Sequence, residues 1–463
     1  MNRRKLIRQL GTVGPGILLF PTLFSACRKE QLLSGQTFNG KVIIIGAGAA
    51  GLYAANLLRK HGAEVIILEA SASSGGRIRA NTTFADYPFE LGADKLRGKR
   101  SIFYDLAAFH TPASLAPYSG TNYYLLDGVL RTEYFLKENA GLAGAGATLF
   151  QVLESFASYP GTEMTVAEYF NEISLEHRFL KIANALVGND LGADNAALGM
   201  MAMKERASLS AAGNDQFFLN NRSYWSLFEM AFPDEFDLVQ VNKVVKKITY
   251  SNQQTQVETL DGEIFKAARV LLTVPLGVLK NNDIQFDPPL PSAKATAIQK
   301  IGFGKGIRIA LQFQQPFWAD NTDLIMGGTL IPQYEVSSTG RSSAQFILSG
   351  TAMGEAAETL SAMTEQEAVA KIITELNQMY PGTGVNSKFS QQYLFQNWSN
   401  EPFFHGSFSY PSPGSEYQRS ILAAPIANKV FFAGEASNDN GHSGTVNGAM
   451  ESAYRAVLEI LQS

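Results

Sequence analysis

The chain of 463 residues carries a formal net charge of -4 at pH 7, so it has no positive field to hold nucleic acid or an anionic membrane surface, and neither partner is expected. A hydrophobic fraction of 45%, with 30 Phe and 17 Tyr, excludes a disordered chain, and the single short apolar stretch excludes a polytopic membrane protein. The length exceeds what one hydrophobic core supports, so we expect two interlocked domains of an enzyme-sized chain, whose oligomeric state the sequence leaves open.

The N-terminus is typical of an export signal. The first eight residues include three Arg and one Lys, and residues 11–26 form an uncharged stretch too short and too rich in Gly and Pro to span a membrane. The basic segment resembles a twin-arginine signal, and residues 23–27 resemble a bacterial lipobox that ends at Cys27. We predict an export signal over 1–27, a linker over 28–40, and a periplasmic or cell-surface protein held at the membrane only by a lipid on Cys27. The alternatives are an uncleaved N-terminal anchor and a basic leader with a chance cysteine.

Cys27 is the only cysteine in the chain, and the five histidines are dispersed. No intrachain disulfide and no cysteine nucleophile can therefore form in the mature protein. A zinc site needs Cys and His ligands at short, regular spacing, and the sequence has no such pattern, so we expect no metal site.

A glycine-rich turn lies between a predicted strand and a predicted helix. The β-branched run at 41–45 predicts a buried parallel strand, and residues 46–51 (GAGAAG) lead into an apolar helical pattern over 52–58. In this fingerprint the first glycine permits a tight turn, the second lets the backbone approach a pyrophosphate, and the third lets helix and strand pack closely. A second strand over 64–68 ends at Glu69, where a carboxylate can bind a ribose diol. The unit predicts a dinucleotide site at the helix N-terminus.

Two further features favour FAD over NAD as the dinucleotide. Gly75 and Gly76 allow the backbone near a second part of the phosphate chain, and Arg77 can contact that chain through two N–H groups. Near the C-terminus a predicted strand over 430–433 leads to Glu435, whose carboxylate is placed for the ribityl chain of a flavin. An NAD dehydrogenase needs neither contact, so the sequence predicts FAD.

The remaining motifs follow in a fixed order: 90–93 (ELGA), 273–277 (TVPLG), 301–304 (IGFG), 316–318 (PFW), Trp398 and 432–436 (FAGEA). Together with residues 46–77 they resemble the flavin-containing amine oxidases, which include monoamine, polyamine and L-amino acid oxidases and flavin-dependent histone demethylases. The resemblance covers residues 40–463. It implies an α/β fold in which a Rossmann-like FAD-binding domain is interleaved with an α+β substrate domain built from a mixed sheet and helices.

The resemblance implies a discontinuous FAD-binding domain over 41–100, 235–290 and 400–463, and a substrate domain over 101–234 and 291–399. Residue patterns support this layout. Alternation of apolar and polar residues predicts strands at 238–248, 256–260 and 270–274, and the helical period predicts helices within 149–185 and 355–380.

The resemblance also assigns FAD contacts to residues of all three FAD-binding segments: Gly46, Gly48, Ala49, Ala50, Gly51, Glu69, Ala70, Gly76, Arg77, Gly92, Ala93, Asp94, Val244, Gly434, Glu435, Thr445 and Val446. Val244 is expected to contact the adenine portion through its backbone, or else to be strand core. A helix that begins near Thr445 would direct its N–H groups at the flavin pyrimidine, where negative charge develops on reduction. Ser407 stands where monoamine oxidases attach the flavin through cysteine, so we expect noncovalent FAD.

By the same resemblance the candidates for catalysis are Arg308, Trp398, Phe408 and Thr445. Trp398 and Phe408 fall at aromatic positions that exclude water around the reacting amine. Thr445 and Phe408 stand where some relatives have two tyrosines that flank the amine, so the aromatic cage is expected to be incomplete. Phe403 and Lys95 are candidate substrate contacts, with core packing and a surface lysine as the alternatives.

In the family that the sequence resembles, the position of Arg308 is usually a lysine. That lysine holds a water near the flavin and assists the reaction of the flavin with oxygen. Arginine keeps a permanent positive charge and is larger. The leading prediction is FAD-dependent oxidation of a small-molecule amine or amino acid by hydride transfer from the C–N carbon, which gives an imine that hydrolyses to an aldehyde or oxo acid and ammonia. Oxygen or another acceptor then removes the electrons. The alternatives are an amine dehydrogenase with a non-oxygen acceptor, a flavin desaturase of hydrophobic substrates, and a noncatalytic flavin-binding surface protein.

Overall fold

The computed structural model of the chain describes Leu33 and residues 35–139, 141–213, 215–250 and 254–463. The predicted export signal and its lipidation site, Cys27, lie outside the described residues. Within the described ranges, no helix combines the length and the apolar composition needed to cross a membrane.

The strands, numbered along the chain, are β1 (Lys41–Ile45), β2 (Glu64–Leu68), β3 (Ala80–Asn81), β4 (Phe89–Glu90), β5 (Leu96–Arg97), β6 (Leu115–Pro117), β7 (Thr121–Leu126), β8 (Val129–Thr132), β9 (Gln216–Leu219), β10 (Val239–Gln240), β11 (Val245–Tyr250), β12 (Thr255–Thr259), β13 (Ile264–Ala267), β14 (Arg269–Leu272), β15 (Gln285–Asp287), β16 (Gly302–Phe303), β17 (Gly306–Phe313), β18 (Thr322–Met326), β19 (Gln333–Val336), β20 (Phe346–Met353), β21 (Phe389–Asn397), β22 (Ser409–Tyr410) and β23 (Val430–Phe432).

The α-helices are α1 (Ala49–Lys60), α2 (Ile102–His110), α3 (Glu133–Glu138), α4 (Ala143–Ser155), α5 (Val166–Glu172), α6 (Leu180–Ala183), α7 (Met200–Leu209), α8 (Tyr224–Ala231), α9 (Leu276–Lys280), α10 (Ser292–Lys300), α11 (Gly354–Ser361), α12 (Glu365–Met379), α13 (Val385–Lys388), α14 (Gln418–Ala423) and α15 (Val446–Leu461).

A five-stranded parallel sheet in the order β10-β2-β1-β14-β23 organises the dinucleotide half of the molecule. Its central strand β1 is apolar throughout because both faces are covered. Val42 and Ile44 join the core beneath α1 and α15, while Ile43 and Ile45 join a second core on the opposite face. The predicted α/β architecture with its glycine-rich βαβ unit is confirmed.

One predicted strand is wrong in its extent. The segment 238–248 was expected to be a single strand, but it divides into β10, which pairs with β2, and β11, which joins a separate sheet in the order β13-β12-β11-β15. Asn242 lies between them with a φ of 58°, in the left-handed region, so the chain turns from one sheet into the other. Alternation of residue types cannot reveal such a break, because both pieces keep their own alternation.

A seven-stranded, mostly antiparallel sheet in the order β21-β17-β20-β19-β18-β7-β8 organises the other half. Side chains of β17 alternate between its faces. Ile307, Ile309 and Leu311 pack with the apolar side of α12, while Arg308 points to the opposite face, into a cavity between the two halves. The helices predicted within 149–185 and 355–380 are present as shorter pieces, separated by turns and single-turn helices.

Candidate active site

A continuous cavity of about 290 Å³ extends from the tip of β1 to the face of the seven-stranded sheet. Every residue predicted above to bind FAD, to act in catalysis or to contact substrate lines this cavity, except Gly51. The structure therefore brings together side chains from segments up to 400 residues apart. The individual role of each residue stays a prediction.

The glycine-rich turn opens the cavity at the N-terminus of α1. Gly46 has a φ of 108°, which a residue with a side chain rarely adopts. A Cβ on Gly51 would lie 2.0 Å from the carbonyl oxygen of Gly46, which explains why Gly51 contributes packing and not cavity surface. A Cβ on Gly48 would meet no described heavy atom within 4 Å and would occupy the cavity itself. The turn thus leaves the space in front of the α1 N–H groups free for a phosphate.

Glu69 follows β2 and is held by two backbone donors. The N–H of Ala47 donates to its Oε2 at 2.7 Å, and the N–H of Ser71 donates to its Oε1 at 2.9 Å. The carboxylate is 8% exposed and faces the cavity, with acceptor capacity left for a diol. Val244 also lines the cavity. Its neighbour Lys243 donates its backbone N–H to the carbonyl of Glu69.

Arg77 and Glu435 form a buried ion pair across the cavity. The Nη1 of Arg77 lies 2.9 Å from Oε1 of Glu435 and also donates to the carbonyl of Ser407 at 2.7 Å. Glu435 further accepts from the N–H and hydroxyl of Ser409 and from the N–H of Gly444. Burial would raise the pKa of Glu435, but Arg77 and these hydrogen bonds outweigh it and hold the pKa below its ordinary value. The carboxylate therefore ties two cavity loops together, and its contact with the ribityl chain stays a prediction.

Helix α15 begins at the cavity wall, with Thr445 as its N-cap. The Thr445 hydroxyl accepts from the N–H of Gly448 at 2.9 Å and donates to the carbonyl of His442 at 2.7 Å. The hydroxyl is therefore committed to the backbone, whereas the first-turn N–H groups, from Val446 onward, have no partner within the helix. Thr445 serves the helix end that would face a flavin, and it adds no aromatic surface.

Three aromatic rings wall the far part of the cavity. The indole Nε1 of Trp398 donates to the carbonyl of Leu91 at 2.8 Å, which fixes the orientation of this ring. Phe408 lies between two glycines, because a Cβ on Gly192 would approach its ring to 2.6 Å and a Cβ on Gly444 to 3.0 Å. Phe403 lines the same wall with a φ of 66°. The pocket between these rings has apolar walls and little freedom to collapse.

Arg308 projects from β17 into this pocket and is 7% exposed. Its Nη2 lies 3.0 Å from Oδ2 of Asp94, and its Nη1 donates to the hydroxyl of Thr351 on β20 at 2.7 Å. Burial would lower the pKa of Arg308, but Asp94 and Glu335 outweigh it and raise the pKa above its ordinary value. The arginine is thus a fixed, permanent and locally compensated charge. Lys305 lies three residues earlier, just before β17 begins at Gly306, and does not line the cavity.

Several cavity residues were not predicted from the sequence. Asp190 pairs with Arg97 through both guanidinium nitrogens, at 2.5 and 2.9 Å. Gln333 and Thr351 reach the cavity from neighbouring strands of the seven-stranded sheet. These residues carry no local motif, and only their partners across the fold identify them. Lys95, the predicted substrate contact, lies at the cavity edge with its Nζ 5.9 Å from the centre of the Tyr118 ring.

The donor set fits FAD. Two glycine turns leave free space where a Cβ would intrude, a carboxylate terminates β2, and an arginine stands beside the second turn. Within the described ranges no group of three His, Cys, Asp or Glu side chains could hold a metal ion. The cavity therefore offers the contacts that a dinucleotide needs along its length.

Comparisons with known proteins agree with this site. A family model described as flavin containing amine oxidoreductase matches residues 49–461. Polyamine oxidase 4 of Oryza sativa subsp. japonica is 30% identical over 479 residues, which cover 96% of this chain and 91% of that protein. Lysine-specific histone demethylase 2 of Homo sapiens is 26% identical over 482 residues, which cover 97% of this chain but only 56% of that protein.

Solved structures share the fold. Cyclohexylamine oxidase from Brevibacterium oxydans IH-35A has a TM-score of 0.78 at 18% identity, covering 92% of this chain and 99% of its own. Wild-type putrescine oxidase bound to putrescine has a TM-score of 0.75 at 19% identity, covering 92% of this chain and 100% of its own. The predicted resemblance is confirmed by the family match, and the chain belongs to the flavin-containing amine oxidoreductase family.

Proposed function

We propose that this protein oxidises a primary or secondary amine, or an amino acid, at the carbon that bears nitrogen, and releases an imine that hydrolyses in water. Its family makes it an FAD-dependent oxidoreductase of CH–NH or CH–NH2 groups. The FAD is bound noncovalently, because Ser407 stands where monoamine oxidases have the attaching cysteine. The observation that carries the proposal is the single cavity in which the dinucleotide turns and the aromatic pocket meet.

When it is bound, FAD would supply the acceptor for a hydride, which carries both electrons of the oxidation. The chain's own residues supply position and dryness. Trp398 and Phe408 confine a small amine between fixed rings and keep water away from the reacting carbon, so the amine can be held as the neutral base. The first turn of α15 provides N–H groups that favour negative charge beside the helix end. Thr445 keeps that turn in place through its cap.

The arginine at position 308 favours an enzyme whose reduced flavin reacts slowly with oxygen or passes its electrons to another acceptor. Its guanidinium is held between Asp94 and Thr351 and cannot give up a proton. The test is the rate at which the reduced, FAD-loaded protein is reoxidised by oxygen. We expect Arg308→Ala to change this rate and Lys305→Ala, outside the cavity, to leave it unchanged. Equal rates in native protein and Arg308→Ala would exclude this role.

An anaerobic bleaching screen tests the proposal as a whole. The purified yellow protein is mixed with monoamines, polyamines and amino acids, and the loss of the flavin absorbance is recorded. Bleaching by one class of amine is the expected result. Persistent colour with every amine, although dithionite bleaches the same sample, would refute amine oxidation and favour a noncatalytic flavoprotein. Bleaching only by a polyene precursor would favour a desaturase.

We also propose that the chain is exported by the twin-arginine route and lipidated at Cys27. The support is the sequence alone: paired arginines, a short apolar stretch and a small residue before the cysteine. We expect Cys27→Ser to move the mature protein from the membrane fraction to the soluble exported fraction, and Arg3→Lys with Arg4→Lys to retain it inside the cell. A membrane fraction unchanged in Cys27→Ser would contradict lipidation there.

A further inference from the structure

A second cavity of about 380 Å³ adjoins the first on the side of the seven-stranded sheet. The two cavities share three wall residues, Lys95, Asp190 and Gln333. Its floor is formed by β7 and β18, and its remaining walls include Tyr118 and Leu186. A molecule that reaches from the aromatic pocket past Gln333 would place its far end in this second cavity.

Asp323 on β18 lines the second cavity and is 6% exposed. Among the residues that the structure describes, none donates a hydrogen bond to its carboxylate and none forms an ion pair with it. The register between β18 and β7 shifts between Thr322 and Ile325, and this bulge lets Asp323 and Leu324 both face the cavity. Gly120 makes room for it, since a Cβ there would lie 2.6 Å from the Cβ of Asp323.

The neighbours of Asp323 add acceptors. Oδ1 of Asn122 on β7 and Oε2 of Glu335 on β19 are buried and have no hydrogen-bond partner in the described structure. Oε1 of Glu335 accepts only a long bond from the hydroxyl of Tyr118, at 3.4 Å. Asp323 and Asn122 line the second cavity with acceptor atoms, and Glu335 adds a negative charge near Asp323. A ligand with several N–H donors and a positive charge satisfies these groups.

Three other carboxylates that line the two cavities are paired with arginine: Asp94 with Arg308, Asp190 with Arg97 and Glu435 with Arg77. Glu69 accepts hydrogen bonds from two backbone N–H groups instead, and Asp283 lies 2.7 Å from the ring of His405. Lys95 is the remaining cation at the boundary, but it is half-buried over the Tyr118 ring and makes no ion pair within the described part of the chain. A buried carboxylate without a cation is costly to the fold. We therefore expect a cation from outside the chain to neutralise the carboxylate of Asp323.

We propose that Asp323, supported by Asn122 and Glu335, binds a second ammonium group of the substrate while the reacting amine occupies the aromatic pocket. This inference rests on the proposed amine oxidation and narrows its substrate to a diamine or longer polyamine. Asp323 is a specificity-determining residue in this scheme. It stands too far from the reacting carbon to act on it, since it lines only the second cavity.

The experiment compares diaminobutane, diaminohexane and diaminooctane, each with the monoamine of the same carbon number. For FAD-loaded native protein and Asp323→Asn, anaerobic bleaching over a range of concentrations gives the limiting rate of flavin reduction and the apparent Kd of each compound. Calorimetry gives the affinity of compounds that bind without bleaching the flavin. We expect the native protein to prefer one diamine over its monoamine. Asp323→Asn should raise the apparent Kd for that diamine by at least roughly 30-fold and leave the limiting rate of flavin reduction nearly unchanged, because the buried partner charge is lost. The monoamine should change less than about threefold.

Asp320→Asn is the matched control, because Asp320 is exposed near β18 and should affect neither compound. Asn122→Leu is a second test variant and should weaken the diamine selectively, by less than Asp323→Asn. Equal effects of Asp323→Asn on diamine and monoamine, with flavin absorbance unchanged, would overturn the inference. So would stronger binding of amino acids than diamines that is lost in Lys95→Met. Selective diamine binding without bleaching would support the inference while refuting amine oxidation.

Discussion

The ion pair between Arg308 and Asp94 gives a sharp prediction about stability. Asp94→Asn keeps the size of the side chain and one oxygen acceptor but removes the negative charge. Arg308 would then stay charged, with the Thr351 hydroxyl and a neutral amide beside it and Glu335 as a more distant carboxylate. We expect this change to destabilise the protein because it leaves a buried cation without its ion-pair partner.

The magnitude follows from the geometry. At the 3.0 Å separation of the charged atoms, the direct attraction is about 5.5 kcal/mol for an effective dielectric constant of about 20. The side chains are 8% and 24% exposed, so solvent screens the carboxylate in part. Removing one partner of a buried pair costs about 3–5 kcal/mol, and the partial exposure of Asp94 places our expectation near about 3 kcal/mol.

Urea unfolding, followed by tryptophan fluorescence, measures this change in the free energy of unfolding. FAD is kept at a fixed excess, because bound cofactor adds its own stabilisation. The double variant Asp94→Asn with Arg308→Met removes both charges and should be more stable than Asp94→Asn alone. Asp320→Asn, an exposed carboxylate, is the control and should shift stability by less than about 0.5 kcal/mol. A similarly small shift in Asp94→Asn, or no recovery in the double variant, would refute the electrostatic reasoning.

Three other predictions concern separate elements. Gly51→Ala should prevent stable folding, since its Cβ would lie 2.0 Å from the Gly46 carbonyl oxygen. Gly48→Ala should leave the apoprotein folded and lower the affinity for FAD by at least about tenfold, as measured by flavin fluorescence titration. Burial and the nearby Glu335 raise the pKa of Asp323 to about 6, above that of an unfolded carboxyl, so native stability should fall as pH rises from about 4 to about 6. Asp323→Asn should then exceed native stability above pH 6, by up to about 3 kcal/mol, and lose that advantage below pH 4; parallel pH profiles would contradict this. Thr445→Val should cost about 1 kcal/mol in urea unfolding through loss of the α15 cap, while Thr445→Ser should retain most of it.

The dinucleotide half could be predicted from the sequence because its information is local. The strands over 41–45 and 64–68 begin and end where the residue pattern places them, and the glycines between them have the conformations that the fingerprint requires. Each glycine acts within a few residues of the turn it permits. The split of 238–248 escaped prediction because Asn242, which lies between β10 and β11, is a residue type compatible with both a strand and a left-handed turn.

The substrate half could be predicted from the sequence to a much smaller extent, because its chemistry depends on which charged side chains meet across the fold. Arg308 was identified by its motif, yet its partner Asp94 lies 214 positions earlier and had been assigned to the cofactor. Asp323 carries no motif, and in the sequence it is one of 42 acidic residues. What distinguishes it is that no cation of the described residues forms an ion pair with it, and this becomes visible only when β7, β18 and β19 are brought side by side. A residue whose function is to leave a charge unpaired for a ligand has no local signature, since its surroundings are supplied by distant strands.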